Sequence, residues 1–132
     1  MIRVEGKRHY AKATVAWAEQ WDSCWRCRRR GVWKHGLTIH HITRGSNRQA
    51  NNLATTTIAC GDCHSKEETT DSLGEIGWIV LKRWHDKAHY NLLRVLRAWD
   101  KVDGFITEAD VDEAEAKLIE RGILPWQPWK IA

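Results

Sequence analysis

Four cysteines stand in two pairs of the same spacing, and this pattern is typical of a metal site. Two residues separate the members of each pair, and 32 residues separate the pairs: Cys24, Cys27, Cys60 and Cys63. Two such pairs can surround a zinc ion with four thiolates. No position is then left for a substrate, so we expect the zinc to be structural. Four unrelated buried cysteines, or one redox pair, would leave the repeated spacing unexplained.

Three histidines lie next to these cysteine pairs in the sequence. His40 and His41 are adjacent between the pairs, and His64 directly follows the last cysteine. Adjacent residues on a strand point to opposite faces, so one of the two can bind a metal while the other acts on water. A histidine accepts a proton at neutral pH, and a divalent cation stabilises charge on a phosphate. Taken alone, the histidine pair would more simply be structural, but the flanking cysteines favour phosphodiester hydrolysis.

The elements that position these residues follow from periodicity and turn residues. Apolar residues at helical spacing predict a helix over residues 8–21, and LTIHHI predicts a strand over 37–42. The polar stretch 44–52 indicates a loop, and a helix is expected to begin within 63–77. The apolar run 78–84 fits either a helix or a buried strand.

The C-terminal part of the chain is predicted to be helical. Residues 87–99 carry an apolar stripe, and Thr107 with Asp110 forms a capping-box pattern before a second helix that ends near Gly122. The apolar positions of this second helix are Val111, Ala114, Leu118 and Ile119. The tail from residue 123 is expected to pack as an extended arm. The nine tryptophans are spread along the chain, which favours packing over a base-stacking surface.

Charge is distributed unevenly along the 132 residues. Residues 1–66 contain 12 Lys and Arg against 4 Asp and Glu, a charge of +8, whereas the remainder carries −4. A basic half is expected of a nucleic-acid binder, although a basic solvated face explains the charge equally well. No apolar run is long enough to span a membrane, and the N-terminus lacks a signal-peptide pattern. We therefore expect a cytoplasmic protein without a membrane partner, in which cysteines bind metal and do not form disulfides.

The order of these motifs resembles the HNH endonuclease family. The resemblance is carried by CWRC, TIHHIT, NNL and CGDCH, between residues 24 and about 68. It implies an α+β fold containing a ββα-metal finger, which is a β-hairpin followed by a helix around a catalytic ion, with a four-cysteine structural zinc site and flanking helices. We expect one domain over residues 1–132, with residues 78–132 as a helical C-terminal extension.

The resemblance also implies roles for the three histidines. His41 takes the position of the general base, and His40 and His64 take the positions of the two ligands of the catalytic metal. That metal could be Mg²⁺, Mn²⁺, Ni²⁺ or Zn²⁺, since imidazole ligands suit the transition metals better than Mg²⁺.

The middle asparagine of the family motif precedes a leucine and holds the loop of the base by hydrogen bonds. Asn52, before Leu53, matches this position. In many family members the asparagine lies about five residues before the third cysteine, whereas Asn52 lies eight before Cys60. Asn51 and Thr55 therefore remain alternatives for this role.

The substrate implied by the resemblance is DNA, cut by a nickase or double-strand endonuclease. The candidate phosphate contacts are Arg26, Arg28, Arg29, Arg30 and Arg44. The alternative is a non-catalytic zinc-ribbon module that binds nucleic acid. The chain also resembles stand-alone HNH proteins of phages, which suggests phage packaging proteins as partners, with the C-terminal tail as a candidate docking segment.

Overall fold

The computed structural model describes residues 10–42, 52–65, 74–98 and 106–126. These residues form a three-stranded sheet and several helices, so the predicted α+β class is confirmed. In chain order the elements are α1 (Lys12–Ala18), β1 (Val32–Trp33), β2 (Gly36–His41), β3 (Thr56–Cys60), α2 (Gly61–Ser65), α3 (Gly74–His85), a 3-10 turn (Lys87–His89), α4 (Leu92–Ala98) and α5 (Glu108–Glu120).

The sheet contains the hairpin that the family resemblance implies. Strands β2 and β3 are antiparallel, with Leu37 opposite Cys60 and His41 opposite Thr56, and the short strand β1 lies beside β2. Every residue of β3 is buried. Helix α2 follows β3 directly, which gives the expected ββα order. The strand that carries two histidines is thus held beside the helix that carries the third.

Tryptophans form the centre of the core. Trp17, Trp21 and Trp25 contact one another edge-on, with ring centroids 5.0 to 6.1 Å apart. Trp78 is buried as well. The prediction that tryptophans serve packing is therefore confirmed for these four residues.

Two predicted helices differ in extent from those observed. Helix α1 is only seven residues long, and Trp21, which was assigned to it, lies beyond its end. The residues whose spacing predicted this helix have different fates: Thr14 and Trp17 are buried in α1, Ala13 lies in α1 but is exposed, and Tyr10 and Trp21 lie outside it. Residues 87–98 form a 3-10 turn followed by α4, and the ambiguous run 78–84 lies within α3.

Helix α5 has the boundaries that its end residues predict. The hydroxyl of Thr107 accepts a hydrogen bond from the backbone of Asp110, whose side chain accepts one from the Thr107 backbone. Gly122 follows the helix with φ +80°, a backbone conformation that glycine adopts without strain. Of the predicted apolar positions, however, Ile119 is 44% exposed, because the helix packs on one side only.

The described part of the tail packs against the body, as predicted. The indole of Trp126 donates a hydrogen bond to the carbonyl of Trp25 (3.2 Å), and the indole of Trp84 donates one to the carbonyl of Trp126 (2.8 Å). The Arg28 guanidinium lies 5.2 Å from the Trp126 ring centroid. Residues 123–126 thereby join the first cysteine pair to α3.

Some predictions lie outside the described residues. They concern residues 44–51, with Arg44 and Asn51, and residues 127–132 of the tail. Among the described helices, none has the length and apolar character that crossing a membrane requires.

Candidate functional site

The four cysteines come together as the spacing predicts. Their sulfur atoms all lie within 4.8 Å of one another, and the Sγ atoms of Cys27 and Cys60 are 3.5 Å apart. A tetrahedral zinc site with Zn–S bonds of about 2.3 Å separates its sulfurs by about 3.8 Å. The cluster therefore fits a zinc ion. Among the residues that the structure describes, it is the one group in which three or more His, Cys, Asp or Glu side chains lie close enough together to hold a metal ion.

Each cysteine pair is shaped by a different local structure. In the first pair, the backbone N–H of Arg28 donates to the carbonyl of Cys24 (3.1 Å), and the N–H of Cys24 donates to the carbonyl of Arg29 (2.8 Å). The chain reverses at Arg28, whose φ is 70°. In the second pair, Cys60 ends β3 and Cys63 lies in α2. The second pair thus links the zinc cluster directly to the ββα hairpin.

The sulfurs share their protons unequally. A hydrogen bond from Cys63 lowers the pKa of Cys24 to about 5, and the same contact together with burial raises the pKa of Cys63. Burial raises the pKa of Cys27. The Arg26 guanidinium also donates to the Cys63 sulfur at 3.7 Å, which favours its thiolate. A cation among the four sulfurs would relieve their mutual repulsion and replace the shared proton.

His40 and His64 lie side by side. Their ring centroids are 4.9 Å apart and their planes are nearly perpendicular, at 85°. Two imidazoles on one ion, with metal–nitrogen bonds of about 2.1 Å, place their centroids about 4.6 to 5.3 Å apart. The pair therefore fits a shared divalent cation, whose other positions would be open to water or to phosphate oxygens.

Helix α3 packs against this histidine pair through Trp78. The ring of Trp78 lies 4.5 Å from the His40 ring, centroid to centroid, and both side chains are almost fully buried. His64 is half-buried. The pair is thus fixed on the inner side and reaches solvent through His64. Sequence reasoning could not find Trp78, because no spacing connects it to the histidines.

Thr38 is a further residue of the site that the sequence reasoning did not identify. Its hydroxyl lies 2.8 Å from Nδ1 of His64 and donates to the carbonyl of Ala59 at 3.0 Å. A usable signal was present, because residues i and i+2 of a strand share a face, and Thr38 therefore lies on the face of His40.

His41 contacts a different set of residues. Its ring stacks on Tyr10, with centroids 6.5 Å apart and planes 11° apart, and its side chain is half-buried. Tyr10 in turn meets Trp33 edge-on at 6.2 Å. The two neighbouring histidines thus have separate surroundings, as expected for adjacent residues of a strand. The periodicity placed Tyr10 in a helix over residues 8–21, whereas it lies before α1, and no spacing connects it to His41, about thirty residues away.

Asn52 shapes the turn that leads into β3. Its side-chain oxygen accepts a hydrogen bond from the backbone of Ala54 (3.1 Å), and its carbonyl accepts one from the backbone of Thr55 (3.0 Å). The carbonyl of Thr55 then accepts the N–H of Ile42 at 2.8 Å. Asn52 is therefore tied, through one turn, to the residue that follows His41.

The candidate phosphate contacts in the arginine run have partners within the chain. Arg29 pairs with Asp62 at 3.3 Å and Arg30 with Asp22 at 3.2 Å, while the side chains of the two arginines are 58% and 74% exposed. Arg28 reaches the carbonyl of Ile123 at 3.5 Å. Exposed ion pairs of this kind contribute about 0–1 kcal/mol and can be exchanged for other anions.

Fold and site together define an α+β protein in which a four-cysteine metal-binding cluster adjoins a pair of buried or half-buried histidines on a ββα hairpin. Residues 24–70 match the family model described as HNH endonuclease. The matched range includes the four cysteines and the three histidines. Comparison with curated proteins and with solved structures gives no match.

Proposed function

We propose that the protein is a metal-dependent endonuclease that hydrolyses phosphodiester bonds in DNA. The proximity of His40 and His64 carries this proposal, since their centroid separation of 4.9 Å suits two ligands of one ion. The match to the HNH endonuclease model supports it. A structural zinc ion held by the four cysteines would fix α2, and with it His64, against β2.

A divalent cation bound by His40 and His64 would stabilise the charge on the scissile phosphate and on the leaving oxygen. Mn²⁺, Ni²⁺ and Zn²⁺ suit two imidazoles better than Mg²⁺ does, although phosphate oxygens can complete the coordination of any of them.

His41 acts in this proposal as the general base that removes a proton from the attacking water. Its half-buried ring is oriented by the stack on Tyr10 and remains partly accessible to solvent. Asn52 serves as the middle residue of the motif, because its turn holds the backbone next to His41. The product ends expected from this chemistry are a 3′-hydroxyl and a 5′-phosphate.

Arg28, Arg29 and Arg30 are proposed to contact phosphates on either side of the cut. Their exposed side chains lie beside the first cysteine pair, and their partners within the chain are weak enough to be exchanged for DNA phosphates. Arg26 differs, because it is directed at the sulfur of Cys63.

Nicking of supercoiled plasmid DNA across a panel of Mg²⁺, Mn²⁺, Ni²⁺ and Zn²⁺ tests the proposal. The wild-type protein should nick with at least one ion, and His41→Ala should reduce the rate by about 10² to 10⁴-fold, the usual contribution of a general base. The matched control is His35→Ala, which removes an exposed histidine from the turn between β1 and β2 and should leave the rate unchanged.

The outcomes separate two classes of function. Full activity in a folded, zinc-containing His41→Ala protein would refute the assignment of the base. Salt-sensitive DNA binding without nicking under any ion would instead support the non-catalytic zinc module. Clean metal-dependent nicking would eliminate that alternative.

A role in phage DNA processing or packaging is part of the proposal through the family resemblance alone, and its place in the cytoplasm rests only on the sequence expectation. Residues 123–126 of the tail contact the chain's own first cysteine pair and α3. A docking site for a packaging protein would therefore have to use other residues of the C-terminal extension.

A further inference from the structure

The face of β2 that carries His40 also carries Thr38, and the hydroxyl of Thr38 stands between two polar groups. One is the carbonyl of Ala59, which is the residue opposite Thr38 in the sheet. The other is Nδ1 of His64, in helix α2. A single hydroxyl therefore connects both strands of the hairpin to the histidine of the following helix.

The protons in this chain of contacts can be assigned by counting donors. A carbonyl oxygen only accepts hydrogen bonds, and a threonine hydroxyl has one proton. Since the Thr38 hydroxyl donates that proton to Ala59 at 3.0 Å, its contact of 2.8 Å with His64 requires the imidazole to donate. Nδ1 of His64 then carries the ring proton, and Nε2 carries the lone pair.

We infer that Thr38 is a positioning residue that fixes His64 in the Nδ1-protonated tautomer, with Nε2 directed to a divalent cation shared with His40. The inference rests on the proposed function for the identity of that site. The opposite tautomer would present an N–H group to the cation, which cannot act as a ligand. Partners of this kind orient metal-binding histidines and raise their basicity.

Two different features of the structure thus position His64. The cysteine cluster fixes its backbone, because Cys63 is the preceding residue of the short helix α2. Thr38 fixes the rotation and the tautomer of its ring. Loss of the hydroxyl should therefore weaken metal binding at the histidines without affecting the zinc at the cysteines.

The test compares Thr38→Val, which has the same shape but lacks the hydroxyl, with Thr38→Ser, which keeps it. The first readout is the tautomer of His64, from ¹⁵N chemical shifts of the imidazole in the zinc-loaded protein without added metal. The second is the affinity for Ni²⁺, used as a probe of the histidine pair and measured by calorimetry. Zinc content and near-UV circular dichroism monitor the fold.

We expect an Nδ1-protonated His64 in the wild type and in Thr38→Ser. In Thr38→Val, the Nε2-protonated form should become populated, and Ni²⁺ affinity should fall by about 10- to 100-fold. An Nε2-protonated His64 in the wild type would overturn the inference, as would unchanged Ni²⁺ affinity in a folded Thr38→Val protein. If Thr38→Val fails to fold, the tautomer of His64 in the wild-type protein decides by itself whether the inference holds.

Both readouts are independent of DNA cleavage. A protein that shows the expected tautomer and the expected loss of Ni²⁺ affinity, but never nicks DNA, would retain the inference and lose the proposed function. A protein that nicks DNA with an Nε2-protonated His64 would retain the function and lose the inference.

Discussion

One largely buried and one fully buried cluster of polar groups lie in this protein, and they are satisfied in opposite ways. The four cysteines bring together groups of the same kind, from two segments that are distant in the sequence. Lys82 and Asp86 are one turn apart, at the end of α3, and bring together opposite charges at 2.8 Å. An added cation would stabilise the cysteine cluster. The second cluster already contains a cation, which is the Lys82 ammonium group.

The contacts around Lys82 and Asp86 complete this second cluster. The ammonium group lies 4.7 Å from the Trp17 ring centroid, and the indole of Trp17 donates to Asp86 at 2.8 Å. Burial lowers the pKa of Lys82 to about 8, against the opposing effect of Asp86. Burial would raise the pKa of Asp86, but the charge of Lys82 and the hydrogen bonds hold it below its usual value.

One side chain connects the two clusters. Trp25 lies between the cysteines of the first pair, and its ring centroid is 5.6 Å from the ammonium nitrogen of Lys82. The comparison teaches that burial of polar residues does not by itself indicate a ligand. Side chains of the same kind that converge, such as the four cysteines, indicate a bound ion. A buried pair of opposite charges, such as Lys82 and Asp86, does not.

Removal of zinc should have the largest effect. We expect chelation, or Cys24→Ser, to unfold the protein, because structural zinc contributes about 10–16 kcal/mol in finger peptides and the whole stability of a domain is about 5–15 kcal/mol. Metal analysis should give one zinc per chain for the wild type without added metal, and near-UV circular dichroism reports the fold. A chelated protein with an unchanged spectrum would show that the cysteine cluster, like the second cluster, needs no ion.

Asp86→Asn should have the next largest effect, because it keeps the shape of the side chain but leaves Lys82 as an unpaired buried cation. We expect a loss of about 3–5 kcal/mol in the free energy of unfolding, measured by urea denaturation of the zinc-loaded protein. The control is Lys82→Met combined with Asp86→Asn, which removes both charges and should recover most of the loss. A single variant that loses less than about 1 kcal/mol would mean that the pair is not coupled.

The pH dependence of stability should give the smallest effect. Since burial lowers the pKa of Lys82 to about 8 in the folded state, the unfolded chain binds more protons between about pH 8 and the usual lysine value. The free energy of unfolding should therefore rise by about 1 kcal/mol from pH 7.5 to 9.

Urea denaturation at the two pH values measures this increase, and Lys82→Met should abolish it. A ¹³C titration of the Lys82 side chain gives its pKa directly. A pKa near 10.5 in the folded protein would contradict the expected rise and would place Lys82 in water.

The local signals in the sequence were reliable where short-range geometry alone decides. The spacing within each cysteine pair predicted its turn, and LTIHHI predicted the strand, because two-residue turns and the period of a strand need no distant partner. That the two pairs meet was predicted from the repeat of the same spacing, which suits one shared ion. The capping box at Thr107 was correct for the same reason. Helix α1 was predicted too long, since Trp21 is buried by tertiary contacts that imitate a helical stripe.

The sequence by itself thus determined that the four cysteines converge and that His40 and His41 have separate surroundings, while the family resemblance supplied the order of the ββα hairpin. Only the tertiary structure decided that His64 contacts Thr38 and that Trp78 supports His40. It also decided that the ambiguous run 78–84 is a helix with a buried ion pair at its end. The physical reason is that these contacts join segments far apart in the chain, whose distances are set by packing and not by any local periodicity.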